Sequence, residues 1–454
     1  MTTGRPPLRV ALAHLVYNLL LHMACLMAVA PWLVRVARDR RQWGWTLRRL
    51  GRLPPGRPQG PTLWVHAVSV GEVKASRTLV AALRERAGDA TVVLSTGTIT
   101  GMETATRLFP DLYVFAWPLD LPMVTGSVLR RLNPQLVLMV ELEIWPTFSR
   151  QADRAGIPQV IVNGRVSESS YRTYRRFCWW LPEFDRLTLV AAQSDEYAQR
   201  IADLGVPRSR IAVTGNLKHD MTQPAPPDEV AALGEQLGLG PGLPVCVAGS
   251  THEGEDEAVI DAWLRAGGAD GCRLILVPRH LERLKDITRM LRRKEVSWLL
   301  RSECRSLEDP ATVLLVDTMG ELEALFGLAD MVFLGGSLVP VGGHNVLEPA
   351  AASCPVITGP WLETCRPEAD ALVAAGGLEI VENSDALGDA LLRLQEDKAL
   401  RAERGKAAWE VAQRLAGATD RTMALLQSLG LPRGDPLDPA EFYATVTPSD
   451  SSRK

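Results

Sequence analysis

A chain of 454 residues with 46% hydrophobic and 23% charged residues has room for two or three globular domains and is too apolar to be mostly disordered. Its 50 Lys and Arg stand against 53 Asp and Glu, a net charge of −3, without the basic excess of a dedicated nucleic-acid binder. The seven Cys show neither CxxC nor Cys/His ligand spacing, so no zinc site or disulfide framework is supported and reduced thiols are the simplest reading.

An apolar stretch runs from Leu8 to Val34, and its dense part, Ala11 to Leu33, is long enough to span a bilayer as a helix. His14, Asn18 and His22 recur every four residues and share one helical face. The segment therefore reads as a single-pass anchor with a polar stripe or as a helix lying in the interface. A cleaved signal peptide fits less well, since the apolar stretch is long. Between Trp32 and Arg57 there are eight Arg and one Asp, interleaved with Trp32, Trp43 and Trp45. Basic residues stay on the cytoplasmic side and Trp prefers the headgroup layer, so the rest of the chain is expected to face the cytosol.

After a Pro/Gly stretch at 54–61, apolar β-type runs recur at 63–68, 91–96, 112–117, 136–140, 158–163, 187–192 and 211–215. Helical periodicity lies between most of them, the pattern of buried parallel strands in a doubly wound sheet. A Pro-rich break at 221–227 interrupts it, and the alternation restarts at 244–249, 273–278, 296–300, 312–317, 331–335, 355–358 and 378–381. A helical tail over about 396–428 and a polar end complete the chain. The expected organisation is a membrane anchor helix (1–34), a basic juxtamembrane linker (35–60), an N-terminal Rossmann-like domain (61–220), a hinge (221–227), a C-terminal Rossmann-like domain (228–431) and a polar tail (432–454). Two facing Rossmann-like α/β domains would enclose a cleft, with ligands beyond the carboxyl ends of the strands.

The loops after those strands carry the chemistry. The first strand leads through Gly71 to Glu72 at a helix start, where the dipole favours an ionised carboxylate that can serve as a general base or merely stabilise the helix. Glu141 and Glu143 follow the fourth strand in alternation and would face opposite sides if the strand continued. Lys218 follows the seventh strand; only seven of the basic residues are Lys, and a cation there can stabilise charge on a leaving group. In the second half, Ser250 to Glu255 form a hydroxyl-rich turn whose N–H groups suit anionic ligands. Arg279 is placed to hold a phosphate or base. Gly320 allows close backbone approach, and a Gly-rich connection from Gly335 leads to Glu348, suited to ribose hydroxyls. No GxxxxGK[ST] is present, which excludes a P-loop, and the first half lacks GxGxxG, which weakens a dehydrogenase reading.

The motifs HAVSVGE (66–72), ELEIWP (141–146), TGNLK (214–218), STHEGE (250–255), VPRH (277–280), DTMGEL (317–322) and GGSLVPVGGHNVLE (335–348) together resemble the 3-deoxy-D-manno-octulosonic acid (Kdo) transferases of lipopolysaccharide synthesis, collinearly from the N-terminal segment to about residue 420. Two departures stand out: the family's usual ETELWP is ELEIWP here, and the usual Pro of GGHNPLE is Val346. The resemblance implies a GT-B glycosyltransferase on the inner face of the cytoplasmic membrane. It implies inverting transfer from CMP-Kdo to a lipid A precursor such as lipid IVA, with no metal and no cofactor beyond the donor. By the family pattern Glu72 is the general base, and Glu141 and Lys218 stabilise the transition state. Pro278, Arg279, Met319, Gly320, Glu321, Asn345, Val346, Leu347 and Glu348 contact CMP. Two other readings stand beside it: another GT-B transferase or an epimerase using a UDP-sugar, and a non-catalytic membrane-tethered nucleotide-sugar binding protein.

Overall fold

The structure, a computed structural model, describes residues 8–430 apart from positions 40, 57, 59, 179, 181, 240, 241, 305, 308, 310 and 429. The polar tail expected at 432–454 and the first seven residues lie outside the described residues.

All fourteen apolar runs form strands. In the first half these are β1 (Thr62–His66), β2 (Thr91–Thr96), β3 (Tyr113–Ala116), β4 (Pro134–Val140), β5 (Gln159–Gly164), β6 (Leu189–Ala192) and β7 (Ile211–Val213), paired in parallel in the order β3-β2-β1-β4-β5-β6-β7. In the second half β8 (Val245–Thr251), β9 (Arg273–Pro278), β10 (Trp298–Leu300), β11 (Val313–Leu315), β12 (Met331–Leu334), β13 (Val356–Thr358) and β14 (Leu378–Ile380) form a second parallel sheet, ordered β10-β11-β9-β8-β12-β13-β14. Strands buried on both faces read as continuous apolar runs because helices cover both sides. Leu63 and Val65 of β1 join one core, whereas Trp64 between them joins the other, against Phe115, Trp117 and Phe148. The second sheet divides in the same way, with Val245 and Val247 on one side and Cys246 and Ala248 on the other.

Contacts divide the described chain into two units, one reaching Met221 and resuming at Gly417, the other Thr222–Ala416. The helix Ala418–Ser428, expected in the second domain (228–431), therefore belongs to the first. Its Ala418, Met423 and Leu426 complete the core that contains Leu79 and Val80. Asp220 fixes its start by accepting from the N–H groups of Gly417 and Ala418 at 2.6 and 3.0 Å.

The N-terminal region also departs from expectation. The apolar stretch is two helices, α1 (Leu8–Met27) and α2 (Val29–Arg38), not one helix through residue 34. Pro31 has no N–H to bond Met27, so the ladder is interrupted there. The basic stretch expected as a linker holds a third helix, α3 (Arg41–Arg49). Trp32 stacks on Trp43 with centroids 5.3 Å apart and donates to Thr46 Oγ1 at 2.8 Å, tying α2 to α3. Arg49 in turn donates to the Trp117 carbonyl at 3.3 Å.

Candidate active site

In an open parallel sheet, neighbouring strands whose connections leave in opposite directions splay their loops apart and form a crevice. In the first sheet that point lies between β1 and β4. β1 ends at His66, which is buried and stacked on Trp117 at 3.9 Å; burial drops its pKa to about 3 and holds it neutral. Ser69 then caps a short helix, α4 (Val70–Ala75), accepting from the Glu72 N–H and donating its hydroxyl to Glu72 Oε1 at 2.8 Å. Glu72 Oε2 accepts from the Val68 N–H at 2.8 Å. This S-x-x-E arrangement is close to a capping box, and it fixes the carboxylate while leaving each oxygen a free lone pair. Burial raises the Glu72 carboxyl above its ordinary value and Glu141 adds to the rise, while the hydrogen bonds from Ser69 and Val68 oppose it.

β4 stops at Val140, and Glu141 takes a left-handed conformation with φ 61°. A non-glycine residue is held there only when its surroundings impose it; here the Glu141 N–H is bonded to the Val162 carbonyl at 2.9 Å. The turn overrides strand alternation. Glu141 and Glu143 line the same cavity as Glu72, about 200 Å³ in volume, with Arg165, Ser167, Ser170 and Tyr174. Glu143 feels this most: burial first, then the Glu72 charge, push its carboxyl up to about 7. Lys218 comes to the same place because Asn163 Oδ1 accepts from the Leu217 N–H at 2.9 Å and Leu217 is buried. Lys218 Nζ lies 3.9 Å from Glu141 Oε1, with half of its side chain exposed. The structure thus gathers Glu72, Glu141 and Lys218 from three strand ends. Glu143, Arg165 and Tyr174 were not assigned from sequence; the loop after β5 obeys the same strand-end rule and would have pointed to Arg165 and Ser167.

In the second unit the corresponding point lies between β8 and β12. β8 runs to Thr251, two residues past expectation. The polar turn after it is organised by Glu255, which is fully buried. Its Oε2 accepts from the N–H groups of Gly336 and His252 at 2.6 and 2.8 Å, and its Oε1 from Ser337 and Leu338 at 2.9 and 2.8 Å. These N–H groups, suited to an anionic ligand, already hold an anion of the chain itself. Gly335 packs so closely that a Cβ would lie 2.6 Å from the Ser250 carbonyl oxygen, so no side chain fits. His252 and His344 approach with their Nε2 atoms 2.9 Å apart, and His280 lies edge-on to His252 at 5.4 Å. A proton shared across so short a gap leaves one ring as donor and the other as acceptor. Burial, with His252 and Arg279 nearby, lowers His344 to about 4.

Pro278 ends β9, and Arg279 is exposed beyond it, its N–H on the Thr251 carbonyl at 3.0 Å. Asn345 donates to Glu348 Oε1 at 3.1 Å and accepts from the Leu347 N–H at 3.2 Å. Burial raises Glu348, the hydrogen bond from Asn345 opposes the rise, Glu323 adds to it and Arg279 opposes it. Glu321 is engaged by Arg301 at 2.7 Å and by Thr318. Met319 is exposed, and Gly320 at φ 93° has open space where a Cβ would stand. Val346 and Leu347 are buried, backbone included, so of this stretch only Asn345 and Glu348 present surface to a ligand. Val346 sits at φ −68°, the angle a proline ring imposes, so the turn is preserved without the family's usual Pro. Among the described residues no group of three or more His, Cys, Asp or Glu is placed to hold a metal ion.

A sequence model of the family described as 3-Deoxy-D-manno-octulosonic-acid transferase (kdotransferase) matches residues 45–221. The 3-deoxy-D-manno-octulosonic acid transferase of Haemophilus influenzae is 35% identical over 82% of this chain and 87% of its own length. That of Bordetella pertussis is 35% identical over 88% and 97%. This chain belongs to the Kdo transferase family. The transferase shares its fold with the UDP-GlcNAc 2-epimerase of Neisseria meningitidis, at a TM-score of 0.55 over 81% of this chain and all of that one; the two are 14% identical, so the likeness concerns the GT-B fold alone.

Proposed function

We propose that this Kdo transferase moves Kdo from CMP-Kdo to a lipid A precursor, lipid IVA, with inversion at the anomeric carbon and no metal or further cofactor. The observation that carries the reading is the carboxylate of Glu72, fixed at the start of α4 with its pKa raised by burial. A base poised nearer neutrality than an ordinary glutamate is better matched to proton abstraction. Glu72 takes the proton of the acceptor hydroxyl as its oxygen attacks the anomeric carbon. The bond from that carbon to the phosphate oxygen breaks, and CMP leaves with the electron pair. Glu141 offers an anion to the oxocarbenium-like centre, and Lys218, 3.9 Å from it, supplies the cation for charge on the departing phosphate.

In the second unit Arg279 and the backbone at Pro278 and Met319 to Glu321 would hold the nucleotide, while Asn345 and Glu348 would receive its ribose. Family membership and the hydrogen bond that sets Asn345 against Glu348 support this assignment. α1 is long and apolar enough to cross a membrane, and with the basic residues after it supports attachment at the cytoplasmic face of the inner membrane. The test is incubation of the full chain with CMP-Kdo and lipid IVA, followed by mass analysis of the lipid. Addition of Kdo that vanishes in Glu72→Gln is expected. Turnover of UDP-sugars without use of CMP-Kdo would overturn the reading.

A further inference from the structure

α1 has two unlike faces, and one is already occupied. Val10, Ala13 and His14 are buried against the first unit. His14 Nε2 lies 2.8 Å from Glu183 Oε1, each side chain only 1% exposed. One turn on, Tyr17 donates to Asp120 at 2.9 Å and Thr147 donates to Asn18 Oδ1 at 3.0 Å. Asp120 also accepts from the N–H groups of Thr147 and Phe148, so the contact reaches the start of the helix Pro146–Arg154. The opposite face carries Leu12, Leu15, Leu19, Leu20, Met23 and Leu26, each 48–72% exposed. His14, Tyr17 and Asn18 are thus spent on the protein, His22 one turn further on is exposed and bonded to the Asn18 carbonyl of its own helix, and the apolar face is bare.

We propose that α1 does not cross the bilayer but lies along the first unit as a mount, its bare face set into the cytoplasmic leaflet. This rests on the membrane attachment proposed above and specifies its geometry. Spanning would carry His14, Tyr17 and Asn18 into hydrocarbon and strip Glu183 and Asp120 of buried partners, and both steps are unfavourable. The asymmetry lies in what the protein covers: His14, Tyr17 and Asn18 are bonded to it while six large apolar side chains stay uncovered, an arrangement suited to the interface plane. Here Arg9, Arg38, Arg41 and Arg48 are exposed, so the occupant is a lipid surface with anionic headgroups.

Topology decides the matter. The full chain carries an N-terminal epitope behind a protease site, and protease is added to inverted inner-membrane vesicles and to spheroplasts. The mount requires the epitope on the catalytic side, cleaved in inverted vesicles and protected in spheroplasts; cleavage in spheroplasts alone would overturn it while leaving membrane attachment intact. Flotation separates the two claims. The purified full chain should float with phosphatidylglycerol-containing vesicles, and Leu15→Lys with Leu19→Lys should lose at least tenfold of the bound fraction while keeping activity on detergent-dispersed acceptor. A wild-type chain that stays out of both membranes and vesicles would overturn the attachment itself.

Discussion

The two units place opposite chemistry at the same point of the same architecture. Between β1 and β4 the first unit gathers Glu72, Glu141 and Glu143 in one cavity. Between β8 and β12 the second gathers His252 and His344, with Arg279 acting on the same groups. Burial first, and like neighbours second, shift the members of each: the Glu143 carboxyl rises to about 7 and the His344 ring falls to about 4. A parallel doubly wound sheet thus fixes where such clusters form, while the residues after its strands decide which side chains gather there.

The comparison can be broken most strongly at Glu72. Glu72→Gln keeps the shape and loses the proton acceptor, so kcat for Kdo transfer should fall by about 10²–10⁴. The wild-type rate should show an acid limb above the ordinary glutamate pKa, because activity is lost as pH falls through the raised value; a pH–rate profile checks this. In the second unit Glu255→Ala leaves four backbone N–H groups without their acceptor. Chemical denaturation should show a loss of about 3 kcal/mol, and donor KM should rise as the loop at 335–338 loosens.

Glu143 sharpens the electrostatic side of the comparison. Burial and the Glu72 charge push its native carboxyl up to about 7 from an ordinary 4.5, so between those values the native state holds the extra proton and stability falls as pH rises through about 7. Glu143→Gln should therefore raise unfolding free energy by on the order of 1–3 kcal/mol at pH 8 and bring no gain at pH 4. The smallest effects belong to the donor-side groups Arg279 and Glu348. Arg279→Ala and Glu348→Ala should each raise donor KM on the order of tenfold with kcat nearly unchanged, the signature of lost ground-state binding.

The strands were legible because burial on both faces writes them as unbroken apolar runs, and Glu72 because it follows Gly71 at a helix start just after the first strand. The rest depended on tertiary contacts. Strand alternation misplaced Glu143 relative to Glu141, because only a left-handed turn at Glu141 brings both into one cavity. The polar stripe of α1 was visible, but its partners Asp120, Thr147 and Glu183 lie more than 100 residues away in sequence. Glu255 read as part of a ligand-binding turn, because nothing local reveals that it is buried under the loop at 335–338. The helix Ala418–Ser428 is continuous in pattern with what precedes it, and only its apolar contacts return it to the first unit.

The division of labour between the units is tested most directly by measuring CMP affinity for Glu72→Gln and Arg279→Ala beside the wild type, on samples whose transfer rates at saturating donor are also determined. Glu72→Gln should bind CMP as the wild type does and barely turn over, whereas Arg279→Ala should bind CMP about tenfold more weakly and turn over normally once saturated. Weakened CMP binding in Glu72→Gln with near-normal turnover, or an abolished rate in Arg279→Ala with CMP affinity intact, would contradict the account.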